Sequence, residues 1–310
     1  VYRLAATDPG AVAYRLALGT AAATVVLIVF GGLVTNTGAA LAVPDWPTTF
    51  GHNMFLYPWS RMVGGVFYEH SHRLIGAVVG LLTLGLAAAL WPAGGRRRAL
   101  GLLAVLVVVA QGVLGGLRVV LREDTLAVLH GCLAPAFLAL VATIALLTSP
   151  VAQRPVPALE PATRRRAAAA AAVIYLQIVL GALLTHEGWI APHLVGAALV
   201  FVVVPMATAR LRRSGDPVAA PAARALLGLL GAQAGLGVGA YLARFSPLWI
   251  PGEQVTMLVL PVAHRVVGAL LLALAVVQAL RVAGAPAAAP VAPAPAGWSV
   301  ARAPATPEAR

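Results

Sequence analysis

Four histidines, His72, His130, His193 and His264, carry the chemistry for which this sequence can be read. Each falls inside a long apolar run rather than in a polar loop. An ionisable side chain in such a run is costly and faces a bundle interior or a water-filled cavity. One such histidine is ordinarily a hydrogen-bonded packing residue. Four of them, each in a separate run and at comparable depth, point to ligands instead. Zinc sites gather three or four histidine, cysteine or carboxylate ligands at close range. No cysteine or acidic pair accompanies most of these histidines. Two imidazoles from facing helices suit the axial positions of a porphyrin iron, and an apolar interior suits its hydrophobic rim.

The neighbours of these histidines narrow the chemistry further. Glu69 stands three residues before a candidate ligand, in Glu69-His-Ser-His72, a spacing that puts both on one helical face. There a carboxylate can move protons or stabilise a cationic intermediate; equally, it can complement the start of a helix dipole. Arg73 and Arg265 directly follow His72 and His264. They suit haem propionates, and they equally suit snorkelling to lipid headgroups. His70 projects from a different face than His72 and is a supporting residue at most. His52 and His186 read as solvated residues of outer loops. Cys132 is the lone cysteine and sits in an apolar run, so an intramolecular disulfide is excluded.

The elements that must position these residues are apolar. The chain of 310 residues is 60% hydrophobic and only 10% charged, whereas a soluble domain carries roughly a quarter charged residues. Eight runs approach or exceed the ~20 residues that span a bilayer. They lie near Tyr14–Val34, His70–Trp91, Ala99–Val120, Thr125–Thr148, Ala167–Leu184, Ile190–Arg210, Ala222–Leu242 and Val255–Arg281. The fold class is therefore all-α integral membrane with eight transmembrane helices. The net charge of +12 comes from 22 arginines and no lysine. Nucleic-acid binding would interleave arginine with aromatics on a polar surface. These arginines instead cluster after the second, fourth and sixth spans, as in Arg96-Arg97-Arg98, which is the positive-inside pattern. Both termini are then cytoplasmic, and the four histidines lie toward the outer face of the cytoplasmic membrane. The longest outer connection runs from about Thr35 to Glu69. Its Trp46, Tyr57 and Trp59 suggest a loop folded over the pocket of the first half.

An internal repeat organises the spans. Gln111-Gly-Val-Leu-Gly115 recurs as Gln177-Ile-Val-Leu-Gly181 and as Gln233-Ala-Gly-Leu-Gly237, and without the glutamine as Leu27-Ile-Val-Phe-Gly31. His72-Arg-Leu-Ile-Gly-Ala77 recurs as His264-Arg-Val-Val-Gly-Ala269. Small residues at such positions let helices approach closely. The repeat predicts two pseudo-symmetric four-helix bundles, residues 1–150 and 151–283, followed by a disordered Ala/Pro-rich tail over 284–310. It pairs His72 with His130, and His193 with His264.

Taken together, these residues resemble the haem A synthase family. The resemblance rests on Gly31-Gly-Leu-Val-Thr-Asn-Thr-Gly38, Pro44-Asp-Trp-Pro47, Glu69-x-x-His-Arg73, Gln111-x-x-Leu-Gly-Gly-Leu117, Leu129-His130 and His264-Arg265, and covers Tyr14 to Arg281. It implies an oxidoreductase that converts haem O to haem A for cytochrome oxidase assembly, taking a porphyrin methyl to a formyl group by successive hydroxylations. By the same resemblance, His193 and His264 hold a haem b in the second half. His72 and His130 hold the substrate haem O, with Glu69 as the essential acidic residue beside it. An electron donor is implied, and haem O synthase and oxidase assembly factors are the partners it suggests. Some family members carry a cysteine pair in the outer loops of each half. This chain does not, so no mechanism using loop thiols operates in it. The alternative is a dihaem electron-transfer cytochrome with the same four ligands, which would have no use for an acidic residue at one site alone. A transporter or haem carrier ranks last, because its ionisable groups would sit near the midplane.

Overall fold

Within a bilayer every backbone N–H and C=O must find a partner in its own segment, so long apolar runs become helices. A computed structural model of the chain describes residues 9–246 and 252–286. Among them are eight α-helices: α1 (Pro9–Asn36), α2 (Gly65–Leu90), α3 (Gly95–Leu121), α4 (Asp124–Thr148), α5 (Pro161–Glu187), α6 (Ile190–Leu211), α7 (Ala219–Phe245) and α8 (Glu253–Ala283). All eight are long and apolar enough to cross a membrane, and each expected span matches one of them. Buried threonines do not interrupt them. The hydroxyls of Thr24, Thr83, Thr143 and Thr208 donate to the carbonyl four residues earlier, which satisfies them within the helix.

At α2 the expected span begins too late. This helix starts at Gly65, after Gly64 in a positive-φ conformation, and so adds more than a turn before His70. Glu69 therefore belongs to the helix and not to the edge of the loop. His186 needs a similar correction. It lies in the last turn of α5, its side chain is 16% exposed, and its Nδ1 is 3.9 Å from the Asp124 carboxylate. Of the expected tail, the part from residue 287 onward lies outside the described residues.

Consecutive helices touch in a closed circuit from α1 through α4, and again from α5 through α8. α8 also lies against α4 and α1, and α4 against α5. Leu86, Leu90, Phe137 and Ile144 lie in one buried cluster, and Ile174, Val204, Leu226 and Leu271 in another. Ile28, Leu138, Ala269 and Ala273 fill the seam where α1, α4 and α8 meet. The turns after α2, α4 and α6 lie at one end with the arginine clusters. The four histidines lie toward the other, near the ends of α1, α3, α5 and α7 and the starts of the helices that follow.

A buried ion pair ties the arginine end together. Arg281 donates to both carboxylate oxygens of Asp216 (2.8–3.2 Å) and to the Val151 carbonyl (3.3 Å). The same carboxylate caps α7 by accepting from the Val218 and Ala219 N–H groups at 2.9 and 2.7 Å. Burial works to raise the Asp216 pKa, but Arg281 and these two N–H groups outweigh it and hold the carboxyl below the usual aspartate value.

Candidate functional site

The histidine end brings the four imidazoles together in two pairs. The ring centres of His72 and His130 are 6.3 Å apart and their planes cross at 77°. His193 and His264 repeat the arrangement at 6.3 Å and 67°. That geometry is one of edge-to-face ring packing, and it also leaves room for an ion between the rings. Half of the separation equals a metal–imidazole bond of about 2 Å plus the distance from a ring nitrogen to its centre. One metal ion between two axial imidazoles therefore fits each gap. Among the described residues no cluster of three or more histidine, cysteine, aspartate or glutamate side chains could hold a metal ion. Each gap thus offers two histidine ligands among the described residues.

The repeated glycines explain how the rings are held. Each imidazole turns its Cε1–Nδ1 edge onto a glycine of the preceding helix: His72 onto Gly31, His130 onto Gly115, His193 onto Gly181 and His264 onto Gly237. A Cβ at these glycines would stand 2.9–3.3 Å from the Cε1 atom, and Nε2 is farther away wherever it comes within reach. The second glycine of each doublet serves a different neighbour. Gly32 receives Val262 of α8, and Gly116 receives the indole of Trp46. A hydrogen bond fixes the tautomer at His130. Its Nδ1 is 3.1 Å from the Gln111 carbonyl, which can only accept, so Nδ1 carries the hydrogen and Nε2 keeps its lone pair.

Glutamine amides stand beside three of the four rings. Gln111 Nε2 donates to the His130 carbonyl (3.2 Å). Gln177 Nε2 donates to the His193 carbonyl (3.0 Å) and lies 3.1 Å from its Nδ1. Gln233 Nε2 is 3.2 Å from His264 Nε2. The Oε1 atoms of all three glutamines are buried without a hydrogen-bond partner, as are Nδ1 of His72 and of His264. Unpaired polar atoms of this kind are expensive unless a bound group completes the site.

Glu69 is 4% exposed and lies one turn before His72. Its Oε2 accepts from the Val43 N–H (2.9 Å) and its Oε1 from Arg73 Nη2 (2.8 Å). Arg73 Nη1 donates to the Asp45 and Thr48 carbonyls, and Nη2 also to the Val43 carbonyl, at 2.7–3.0 Å. All four terminal N–H donors of Arg73 are thus engaged at the loop and Glu69, which makes it a clasp on residues 43–48. Asp45 shapes that segment from within by accepting from the N–H groups of Phe50 and Gly51. Burial tends to raise its pKa, but hydrogen bonds from Gly51, Thr48 and Phe50 prevail and hold it low. Of the loop aromatics, Trp46 rests on α3 at Gly116. Tyr57 packs against His70, whose Nδ1 is 3.1 Å from the Thr49 hydroxyl, while Trp59 is 78% exposed. Sequence reasoning missed Val43 and Asp45 as partners. The Pro-Asp-Trp-Pro motif was the available signal. Arg265 follows His264 in α8 and is half-buried.

Fold and site define a polytopic helical membrane protein with two facing-histidine gaps at one end, one of them beside a clasped, buried carboxylate. The chain belongs to the COX15-CtaA family, described as cytochrome oxidase assembly protein, which matches over residues 14–191. It is similar to the haem A synthase of Shouchella clausii (strain KSM-K16), at 33% identity over 125 residues. The match takes in 37% of this chain and 39% of that protein, so the chain spans well under half of the relative's length.

Proposed function

We propose that the chain is a haem A synthase, an oxidoreductase that takes a methyl group of haem O to a formyl group by successive hydroxylations. In this reading residues 1–150 and 151–283 are two pseudo-symmetric halves, each holding a haem between its histidine pair. His193 and His264 hold a resident haem b, and His72 and His130 hold the substrate. The observation that carries the reading is an asymmetry. Two acidic side chains are buried among the described residues, Asp216 at the arginine end and Glu69 beside His72. The His193/His264 pair has no counterpart to Glu69 in α8, where residue 261 is a proline three before His264.

Bound haem supplies the iron redox chemistry and the porphyrin methyl group. The protein's own residues orient and protect. Each carboxylate oxygen of Glu69 accepts a hydrogen bond, Oε2 from Val43 and Oε1 from Arg73, and keeps a second acceptor position. Such a carboxylate can hold a proton or stabilise positive charge developing nearby. Arg73 fixes its position, and the clasped loop with Trp46 limits water at the first gap. Arg265 is assigned to a propionate of the second haem. Arg73 is expected in that role at the first haem, and its contacts to the loop and Glu69 support a clasp role there as the alternative. The arginine clusters opposite the histidines support a cytoplasmic-membrane location, with both termini inside and the haem sites toward the outer face.

Co-expression with a haem O source, followed by pigment extraction and mass identification, tests the proposal. The wild-type chain is expected to accumulate haem A. Glu69→Gln, which retains an acceptor for Val43, is expected to keep haem b and yield no haem A. Haem A at the wild-type rate in that variant would show the role of Glu69 to be wrong. Haem b alone from the wild-type chain would favour the dihaem electron-transfer cytochrome, which the matched 6.3 Å separations also suit.

A further inference from the structure

A cavity of about 330 Å³ lies at the arginine end, at the turn from α6 to α7. Three arginines line it, Arg212, Arg213 and Arg224, together with the apolar Pro217, Ala220 and Pro221. Arg224 is fixed there by a hydrogen bond from its Nη1 to the Arg212 carbonyl (3.2 Å). Asp216 also lines the cavity, but its charge is spent elsewhere. Both its oxygens accept from Arg281, and Oδ1 also caps α7. Among the described residues no carboxylate pairs with Arg212, Arg213 or Arg224. Several other arginines at this end are satisfied by the protein itself. Arg98 lies over the Trp91 ring, 4.7 Å from its centre, Arg164 donates to the Ala285 carbonyl (2.9 Å), and Arg210 pairs with Glu160. Positive charge gathered round a cavity with no counter-charge of its own favours an anion there.

We propose that this cavity seats the phosphate headgroup of an anionic phospholipid. Position, charge and lining agree on that ligand. α6 ends at Leu211, so Arg212 and Arg213 stand where an apolar span gives way to lipid headgroups. Guanidinium forks match phosphate oxygens, and basic pockets between transmembrane helices bind lipid headgroups. The volume lies at the lower end of small-molecule sites, enough for a glycerophosphate group and more than a lone ion fills. Pro217, Ala220 and Pro221 offer apolar surface to the glycerol backbone and the start of the acyl chains, surface that a free phosphate leaves uncovered. The headgroup sits beside the Asp216–Arg281 pair, and so ties the membrane surface to the start of α7 and the end of α8. The inference stands whatever the histidine gaps carry.

Native mass spectrometry of the full chain in neutral detergent, titrated with dioctanoyl phosphatidylglycerol, tests it. The wild-type chain is expected to hold one molecule more tightly than any further ones. It is also expected to discriminate against dioctanoyl phosphatidylcholine, whose headgroup carries no net charge. Arg212→Gln/Arg213→Gln is expected to weaken that site about twenty-five-fold, at about fivefold for each arginine near a membrane surface. Both residues are exposed, so their replacement leaves the packed helices as they are. Arg224→Gln, on the next helix, is expected to weaken the site about fivefold by itself. Arg165→Gln/Arg166→Gln removes the same charge from exposed positions outside the cavity and is expected to leave the site unchanged. Equal weakening by the two double variants overturns the inference, because net charge alone then holds the lipid. Equal affinity for phosphatidylcholine overturns it too. So does displacement of the lipid by an equal concentration of inorganic phosphate, which would mark a site for free anions.

Discussion

The glycines opposite the histidines set how closely each ring approaches the neighbouring helix backbone. At Gly237 a Cβ would come within 2.9 Å of His264 Cε1. The imidazole is a rigid ring on a helix, so the added atom must move the ring or the helix rather than a flexible side-chain end. Overpacking of this kind costs about 1–3 kcal/mol. Gly237→Ala is therefore expected to weaken ferric haem b binding at the second site by roughly tenfold, as read by haem titration. Gly19→Ala supplies the control. Nothing lies within 4 Å of a Cβ there, so the same substitution is expected to leave binding unchanged. Equal loss of haem in both variants would mean that the glycines matter to helix packing generally and not to the rings.

At the scale of elements, the loop between α1 and α2 is held by one guanidinium. Arg73 joins the Glu69 carboxylate to three carbonyls of residues 43–48, a fork that a lysine ammonium cannot reproduce. Arg73→Lys is expected to raise hydrogen exchange at the Val43, Phe50 and Gly51 amides by roughly tenfold while haem content stays near normal. Loss of haem with an undisturbed loop would restore Arg73 to the propionate role. The eight spans were legible in the sequence because apolar length is a local property, and the four histidines because they are polar within it. The glycine repeat was legible as pattern but not as purpose. That Gly31 receives His72 while Gly32 receives Val262 depends on two different neighbouring helices. The clasp was illegible for a similar reason. Its acceptors are backbone carbonyls 25–30 residues away, and carbonyls leave no mark on residue type. The extra N-terminal turns of α2 escaped notice because Val63 to Tyr68 lacks a long apolar run, and only the glycines at 64 and 65 marked the boundary.

At the scale of the whole molecule, burial of apolar surface does less to hold the helices together than it would in water, since lipid tails are as apolar as leucine. Packing and polar ties carry more of the burden. The described structure has a buried ion pair near each end, Glu69–Arg73 and Asp216–Arg281. The second joins the start of α7, the end of α8 and the connection between α4 and α5, with Asp216 only 2% exposed. Its carboxyl is held below the ordinary aspartate value, as is that of Asp45 in the loop at the opposite end. A carboxyl with a lowered folded pKa binds its proton more readily once the chain unfolds. Its stabilisation is therefore complete above the unfolded value of about 3.9 and is lost as pH falls through the lowered folded value. Thermal unfolding in detergent is accordingly expected to show a plateau at neutral and mildly acid pH and a falling midpoint below it. Asp216→Ala leaves Arg281 buried without its carboxylate, a loss of about 3–5 kcal/mol. The variant is expected to unfold at a lower temperature on the plateau and to show a shallower acid decline than the wild-type chain. An unchanged acid slope in Asp216→Ala would place the pH sensitivity elsewhere, with Asp45→Asn as the next variant to measure.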